Sequence, residues 1–260
     1  DKKAPHNILS ESCFYTLNLP NGTKSNAIEK NLGVMESKAT CILNNIDDRI
    51  PVLSNNRIPF AEFIALMSLR VPFQRDSIND MLRWADKFSL GLLAEHPDEL
   101  KAAIQDGSES PVTDQDITEV QEIINSGSYD VNIPNTFFLQ AMNDNLLEIT
   151  KIISGMKWNY LVAPEDAYFI TSDNPVVLFD PEQKQDFYGP GFLTKSVELT
   201  FPLSSHICLL CRHGESLENQ FINIDTDQVI KINKRTFDCC NRYLISPHQS
   251  FGVPFIPDNF

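Results

Sequence analysis

The chain has 260 residues, with 21 Lys and Arg against 35 Asp and Glu, a formal net charge of -14, and 42% hydrophobic residues. These proportions are typical of a globular protein and argue against disorder, collagen-like repeats and coiled coils. No run approaches the ~18 apolar residues of a membrane span, and residues 1–12 lack the apolar block of a signal peptide, so we expect a soluble chain.

The first half of the chain is predicted to be helical. Asn26 and Glu29 form a capping pair, after which apolar residues recur every three or four positions up to Pro51. A second helix is expected to begin at Pro59 and to stop or kink at Pro72. The two apolar stripes are Ile28, Leu32, Met35, Ala39, Ile42 and Ile46, and then Phe60, Phe63, Ile64 and Met67.

Four more helices are expected, three of them followed by a glycine that is typical of a C-terminal stop. They cover residues 77–95, 97–105, 113–125 and 134–154. Residues 95–148 hold twelve acidic residues and one basic residue, which predicts a solvated acidic surface. Because such a surface repels phosphate backbones, nucleic acid is not the favoured partner, although a basic cleft elsewhere stays open.

After Gly155 the pattern changes to short β-branched and aromatic runs, which predict strands. The strands are expected at residues 158–162, 168–171, 176–179, 197–201 and 207–211, with a helix at 226–241 and a last strand at 243–246. Helices followed by strands predict an α+β fold, with an N-terminal helical layer, a mostly antiparallel sheet and a late helix. We expect one domain over residues 1–260, mainly helical in 1–155 and mainly strand in 156–260.

Six cysteines are too few for a disulfide scaffold in a chain of this length and favour a reducing, cytoplasmic location. Cys208 and Cys211 form a C-x-x-C pair that Cys239 and Cys240 could complete as a zinc site. On a strand, however, positions three apart point to opposite faces, so we favour buried core thiols.

Several short motifs occur in a recognisable order along the chain. They are Phe14-Tyr15 before Asn21-Gly22, Ala27-Ile28-Glu29-Lys30, Met35-Glu36-Ser37, Leu69-Arg70-Val71-Pro72, Trp158, Phe169-Ile170-Thr171-Ser172-Asp173-Asn174-Pro175-Val176 and Phe201-Pro202-Leu203-Ser204. This order resembles the family called domain of unknown function 4238 over most of the chain, a resemblance that implies no settled activity. Family members open with a basic segment containing a His-Tyr-Val-Pro-like motif, which has no counterpart here. The resemblance thus implies that any site using that histidine is incomplete in this sequence.

Glu29 and Glu36 are seven positions apart on the first predicted helix, so they share a face beside its apolar stripe. Arg70 is the expected partner for a carboxylate near the core, with Arg75 as the second choice. If the pair is buried, removing one partner costs about 3–5 kcal/mol. It is then either a structural link between two helices or part of a site, with the glutamates holding a metal or activating water and Arg70 stabilising an oxyanion or phosphate.

Asp173 lies in a polar Ser172-Asp173-Asn174-Pro175 run between two predicted strands. A carboxylate at a strand end is well placed to act as a metal ligand or general base. The alternative is an Asx turn, in which the carboxylate accepts backbone N–H groups and shapes a hairpin.

The remaining motifs do not support a specific function. Asp180, Glu182 and Lys184 match a nuclease D…E-x-K pattern but fall in a predicted loop at residues 180–191, where the acidic and basic groups do not share a strand face. The histidines lack paired metal-ligand spacing, and the glycine-rich signatures of hydrolases, P-loops and dinucleotide sites are not found.

Two functions therefore stay open. The first is a metal-assisted hydrolase or nuclease of a bacterial defence or toxin kind, in which Asp173, Glu36, Arg70 and Glu29 line a cleft and Mg²⁺ or Mn²⁺ is the cofactor. The second is a non-catalytic module that binds a ligand or protein partner, in which those residues are structural. Convergence of the four residues in an open pocket favours the enzyme, whereas dispersal favours the module.

Overall fold

The computed structural model describes residues 17–18, 24–25, 27–182, 189–215 and 217–248. Within them, the helices are α1 (Ala27–Asp47), α2 (Ser54–Leu69), α3 (Pro72–Ala94), α4 (Pro97–Asp106), α5 (Asp114–Ser126), α6 (Asn135–Gly155) and α7 (Thr226–Asp238). The strands are β1 (Leu17–Asn18), β2 (Lys24–Ser25), β3 (Lys157–Val162), β4 (Thr171–Ser172), β5 (Val177–Phe179), β6 (Glu198–Pro202), β7 (Ile207–Arg212), β8 (Phe221–Asn223) and β9 (Leu244–Ile245). The predicted α+β class, with a late helix, is confirmed.

The boundaries of α2 and α3 differ from those predicted. α2 begins at Ser54, so the prediction of a start at Pro59 was wrong, and Pro59 lies inside the helix. Leu53 occupies the N-cap position in an extended conformation without a side-chain cap, so no capping residue marks this start in the sequence. α3 begins at Pro72 rather than at residue 77, because proline is well suited to the first position of a helix.

The main sheet has the strand order β5-β6-β7-β3-β8. Its pairs are antiparallel except β3 with β8, which is parallel. β8 was not predicted, and the strand expected at residues 168–171 is reduced to β4, which pairs with β9. β1 pairs with β2. Asn26, Gln183 and Lys184 lie outside the described residues.

The sheet is covered on both faces. On one face, α1, α2 and the end of α6 pack against a cluster that includes Trp158, Tyr160, Leu199 and Leu209. On the other face, Val229 and Ile232 of α7 pack against a second cluster with residues of β3 and β7. The alternation of side chains along β3 and β7 supplies both clusters.

The chain divides into two compact units, whose limits differ from the predicted change from helices to strands at residue 155. The first comprises Asp1–Phe73 and Leu139–Phe260 and holds the main sheet, and the second is Gln74–Phe138. In the second unit, α4 and α5 are linked by an ion pair of Lys101 with Asp114 at 2.5 Å, and Gln121 donates to the carbonyl of Ala94 at 2.7 Å. The single cooperative domain stays a prediction.

The surface is acidic where the sequence predicted it. All twelve acidic residues between residues 95 and 148 are exposed. In the described part of the chain, every helix is too short or too polar to cross a lipid bilayer.

Candidate functional site

Glu36 and Arg70 form an ion pair between α1 and the end of α2. Arg70 is the C-cap residue of α2, and its NH1 donates to Oε1 of Glu36. This confirms the predicted pairing, but the pair is only partly buried, with 46% of the Glu36 side chain and 23% of the Arg70 side chain exposed. Glu29 is exposed two turns earlier on α1, and Arg75 pairs with Asp76.

Asp173 holds the segment that follows α7. Its Oδ1 accepts a hydrogen bond from the N–H of Asn241 at 3.0 Å, and its Oδ2 accepts one from the N–H of Arg242 at 2.8 Å. Its own N–H donates to the carbonyl of Tyr243 at 3.0 Å. The carboxylate thus accepts backbone amides, as the structural alternative expected, but from a distant segment rather than from its own hairpin.

Ser172 and Asn174 complete this connection, which we call the Asp173 clasp (Ser172, Asp173 and Asn174). The Ser172 hydroxyl accepts from the N–H of Asn174 at 3.1 Å and donates to its carbonyl at 2.9 Å. Asn174 Nδ2 donates to the carbonyl of Cys239, the C-cap residue of α7, at 3.1 Å. Because the last carbonyls of a helix lack intrahelical partners, this bond stabilises the end of α7.

The C-x-x-C cysteines are buried on opposite faces of β7. Cys208 belongs to the cluster on the α7 side, and Cys211 belongs to the cluster that packs on α1 and α2, which confirms the predicted divergence. Burial raises the pKa of Cys208 to about 12 and that of Cys211 well above its ordinary value. Among the described residues, no three His, Cys, Asp or Glu side chains come together as a metal site.

Sequence reasoning did not identify Arg57, whose guanidinium is held by two backbone carbonyls and an aromatic ring. Its Nε donates to the carbonyl of Ser154 at 2.8 Å, and its NH2 donates to the carbonyl of Met156, at the end of α6. The guanidinium also lies over the Trp158 ring, 4.5 Å from the ring centroid. Only 19% of the side chain is exposed. Arg57 therefore offers a positive charge in a fixed position.

Arg57 lies in a cleft of about 260 Å³, which we call the Arg57 cleft. Its lining residues are Val52, Ser54, Arg57, Ser154, Gly155, Lys157, Glu218 and Asn219. Val52 of the lining is anchored to the sheet, because its N–H donates to the hydroxyl of buried Tyr160 at 3.0 Å. The Phe221 ring stacks on the Tyr160 ring, with 4.6 Å between the ring centroids. Burial raises the pKa of the Tyr160 phenol.

Glu218 bridges the two cations of the cleft. Its Oε2 lies 3.7 Å from Arg57 NH2 and 3.4 Å from Lys157 Nζ. The next residue, Asn219, has a positive φ of 60°, and its buried Oδ1 has no hydrogen-bond partner among the described residues. A cluster of charges with an unsatisfied acceptor is the arrangement that a polar ligand can complete.

A second ion cluster, also missed from the sequence, joins α7 to the sheet. Glu198 of β6 contacts Arg212 of β7 and pairs with Arg235 of α7 at 2.7 Å. The Arg235 guanidinium lies 3.8 Å from the centroid of the Phe179 ring. Its members come from separate elements, so only the fold brings them together.

The chain matches the family described as Protein of unknown function (DUF4238) over residues 2–250. It belongs to this family. The resemblance expected from the motifs is therefore confirmed. No curated protein and no solved structure matches the chain.

Several motifs that carry the resemblance of this DUF4238 chain have structural partners. Arg70 pairs with Glu36, and the Thr-Ser-Asp-Asn-Pro run contains the Asp173 clasp. In the Phe-Pro-Leu-Ser motif, the N–H groups of Leu203 and Ser204 both donate to the carbonyl of Ile207, which forms the turn from β6 to β7. Arg57 lies outside these motifs, which is why motif analysis passed over it.

Proposed function

We propose that the chain is a non-catalytic module that binds a small polar ligand in the Arg57 cleft. The observation that carries the proposal is the fixed Arg57 guanidinium, held by two carbonyls and the Trp158 ring at a concave surface. A cation that is already ordered loses little conformational entropy when a ligand arrives. The cleft volume of about 260 Å³ lies below the roughly 300–1,000 Å³ of pockets for drug-sized ligands, so it suits a smaller molecule.

The contacts of the predicted catalytic residues support the same choice. Both oxygens of Asp173 accept backbone N–H groups, and Arg70 is engaged by Glu36. The structure gives Asp173 partners in the segment after α7, whereas Arg70 and Glu36 join α1 to α2. The module hypothesis expects these polar residues to be engaged by structural partners.

Gly155 allows a variant that adds bulk at the cleft without disturbing a backbone contact. A Cβ at Gly155 meets nothing within 4 Å, and Gly155 lines the cleft, so Gly155→Leu is expected to obstruct ligand entry. Gly33, exposed on α1, also has nothing within 4 Å of an added Cβ and provides the matched control Gly33→Leu.

The experiment is a thermal-shift screen of amino acids, organic acids, sugars and nucleotides on the three proteins. The proposal expects at least one compound that raises the melting temperature of the wild type and Gly33→Leu but not of Gly155→Leu. It is contradicted if every stabilising compound acts equally on all three proteins, or if none acts.

A metal-assisted hydrolase or nuclease is the second candidate, favoured by the half-exposed Glu36 beside Arg70. Glu36 and Glu29 would supply two carboxylates for Mg²⁺ or Mn²⁺ from one helix face. Among the described residues, no third His, Cys, Asp or Glu side chain joins them as a metal ligand. Phosphodiesterase activity that needs Mg²⁺ or Mn²⁺ and is lost in Glu36→Gln would establish this function in place of the first.

We propose a cytoplasmic setting, which the thiols and the charge support. The five described cysteines, Cys41, Cys208, Cys211, Cys239 and Cys240, are free, which supports a reducing cytoplasm as the location. The net charge of -14 supports a small molecule or a protein rather than nucleic acid as the partner.

A further inference from the structure

We infer that the ligand of the Arg57 cleft is a small carboxylate with a hydrogen-bond donor on the neighbouring carbon, as in α-amino and α-hydroxy acids. This inference rests on the proposed function and names the class of ligand. Four features of the cleft support it: its positive charge, the carboxylate of Glu218 inside it, the fixed loop that carries Glu218, and the unsatisfied oxygen of Asn219.

The cleft concentrates positive charge in an acidic protein. Arg57 and Lys157 face Glu218 alone, so the charged lining residues carry one net positive charge in a chain of net charge -14. Ser54, which also lines the cleft, is the first residue of α2, and the N-cap of that helix makes no side-chain hydrogen bond. The positive end of the α2 dipole therefore adds to the two cations.

Glu218 shows that a carboxylate fits between these cations. Its distances of 3.7 Å to Arg57 and 3.4 Å to Lys157 exceed the roughly 2.7–2.9 Å of charge-assisted hydrogen bonds. The Glu218 side chain is 35% exposed. A ligand carboxylate that reaches hydrogen-bonding distance from both cations would replace this loose internal contact.

The backbone around Glu218 can stay in place while its side chain moves aside. The N–H of Asn219 donates to the carbonyl of Trp158 at 2.6 Å. Asn159 holds the loop from both sides, since its Nδ2 donates to the carbonyl of Leu217 at 2.9 Å and its Oδ1 accepts from the N–H of Gln220 at 3.1 Å. Displacement of Glu218 therefore needs only side-chain rotation.

Asn219 specifies the second group of the ligand. Asn219 is one of the lining residues, and its buried Oδ1 has no donor among the described residues. A buried acceptor without a partner is costly, so a ligand that brings an N–H or O–H group to it gains affinity. A donor next to the carboxylate is the chemistry of glycine and glycolate, whereas acetate lacks it.

The test measures binding of glycine, glycolate, acetate and methylammonium by calorimetric titration at constant ionic strength. We expect glycine and glycolate to bind the wild type more tightly than acetate, and methylammonium not to bind. Lys157→Gln should weaken glycine binding about tenfold or more, because it removes one charge-assisted hydrogen bond. Lys151→Gln, which neutralises an exposed lysine outside the cleft on α6, is the matched control and should leave binding unchanged.

Glu218→Gln should change the affinity for anions in the opposite direction to Lys157→Gln. Removing the internal carboxylate should tighten acetate and glycine binding, about threefold or more, because the anion no longer competes with it. Equal effects of Lys157→Gln and Lys151→Gln, or weaker anion binding in Glu218→Gln, would overturn the inference. Binding of methylammonium or a sugar that Gly155→Leu abolishes, without carboxylate binding, would overturn the ligand class and leave the proposed function standing. If Gly155→Leu abolishes the binding of no compound of any class, both the ligand class and the proposed function are overturned.

Discussion

Asp173 illustrates how a single polar residue can be located correctly and still be assigned two different roles. Its place at a strand end follows from the sequence, because a polar run interrupts two apolar ones. The acceptors and donors it meets, in residues 241–243, are set by the pairing of β4 with β9. No local pattern contains that information, so the choice between general base and backbone acceptor required the fold.

The structure makes Asp173→Asn a stability test. An asparagine has one acceptor oxygen, so one of the two N–H groups, of Asn241 or Arg242, would face the amide NH₂. The free energy of unfolding, measured by urea denaturation, should fall by about 1–2 kcal/mol. The loss is moderate because the site is partly exposed. Asp166→Asn, at an exposed position, should change it by less than about 0.5 kcal/mol. Equal stability of the two variants would show that the clasp does not hold the segment after α7.

Cys208 gives a prediction about pH. Its pKa is raised from an ordinary value near 9.0 to about 12 by burial, so the thiol ionises more readily in the unfolded chain. Its stabilising contribution is complete below pH 9 and is lost as the pH rises toward 12. The free energy of unfolding should therefore fall less steeply above pH 9 in Cys208→Ala than in the wild type. Leu210→Ala, a truncation in the same cluster without a titrating group, should keep the wild-type dependence of the free energy of unfolding on pH. The same dependence in all three proteins would show that ionisation of Cys208 does not affect stability.

Among the elements, the helices and most strands could be predicted, including the short β5 and β9, whereas β8 could not. The apolar stripe of α1 was predicted from residue spacing alone, and Leu32, Ala39, Ile42 and Ile46 are all buried. β8 has only three residues and depends on its parallel pairing with β3, a long-range contact without a local signal. The Arg57 cleft depends on that same pairing, because Glu218 and Asn219 precede β8 in the chain.

The ion pair between α1 and α2 gives a prediction about stability. The sequence suggested a buried pair worth about 3–5 kcal/mol. Because 46% of the Glu36 side chain is exposed, Arg70→Ala should cost only about 1 kcal/mol in the free energy of unfolding. Glu36→Ala should cost a similar amount, and the double variant should cost less than the sum of the two. Strict additivity in this double-mutant cycle would show that the pair contributes nothing.

In the whole molecule, the change from helices to strands near Met156 falls within a single hydrophobic core. Ile42 and Ile64 of the helices pack in the same cluster as Trp158 and Leu209 of the sheet. Separating them would expose apolar surface on both sides. Limited proteolysis should therefore give no pair of stable folded fragments divided near Met156. Recovery of such fragments, each with cooperative melting, would show that the helical and strand parts fold independently.

We propose that a fixed Arg57 forms a ligand site, and the NMR signal of its Nε–H provides a test that depends on no other residue assignment. The chain has eight arginines, and the signal can be assigned by its loss in Arg57→Lys. With its Nε–H bonded to Ser154 and its guanidinium against Trp158, Arg57 should exchange this proton with water more slowly than exposed arginines do. Glycine should shift the signal in the wild type and Gly33→Leu but not in Gly155→Leu. Rapid exchange, together with a signal that no compound of the screen shifts, would show that Arg57 is neither fixed nor part of a ligand site.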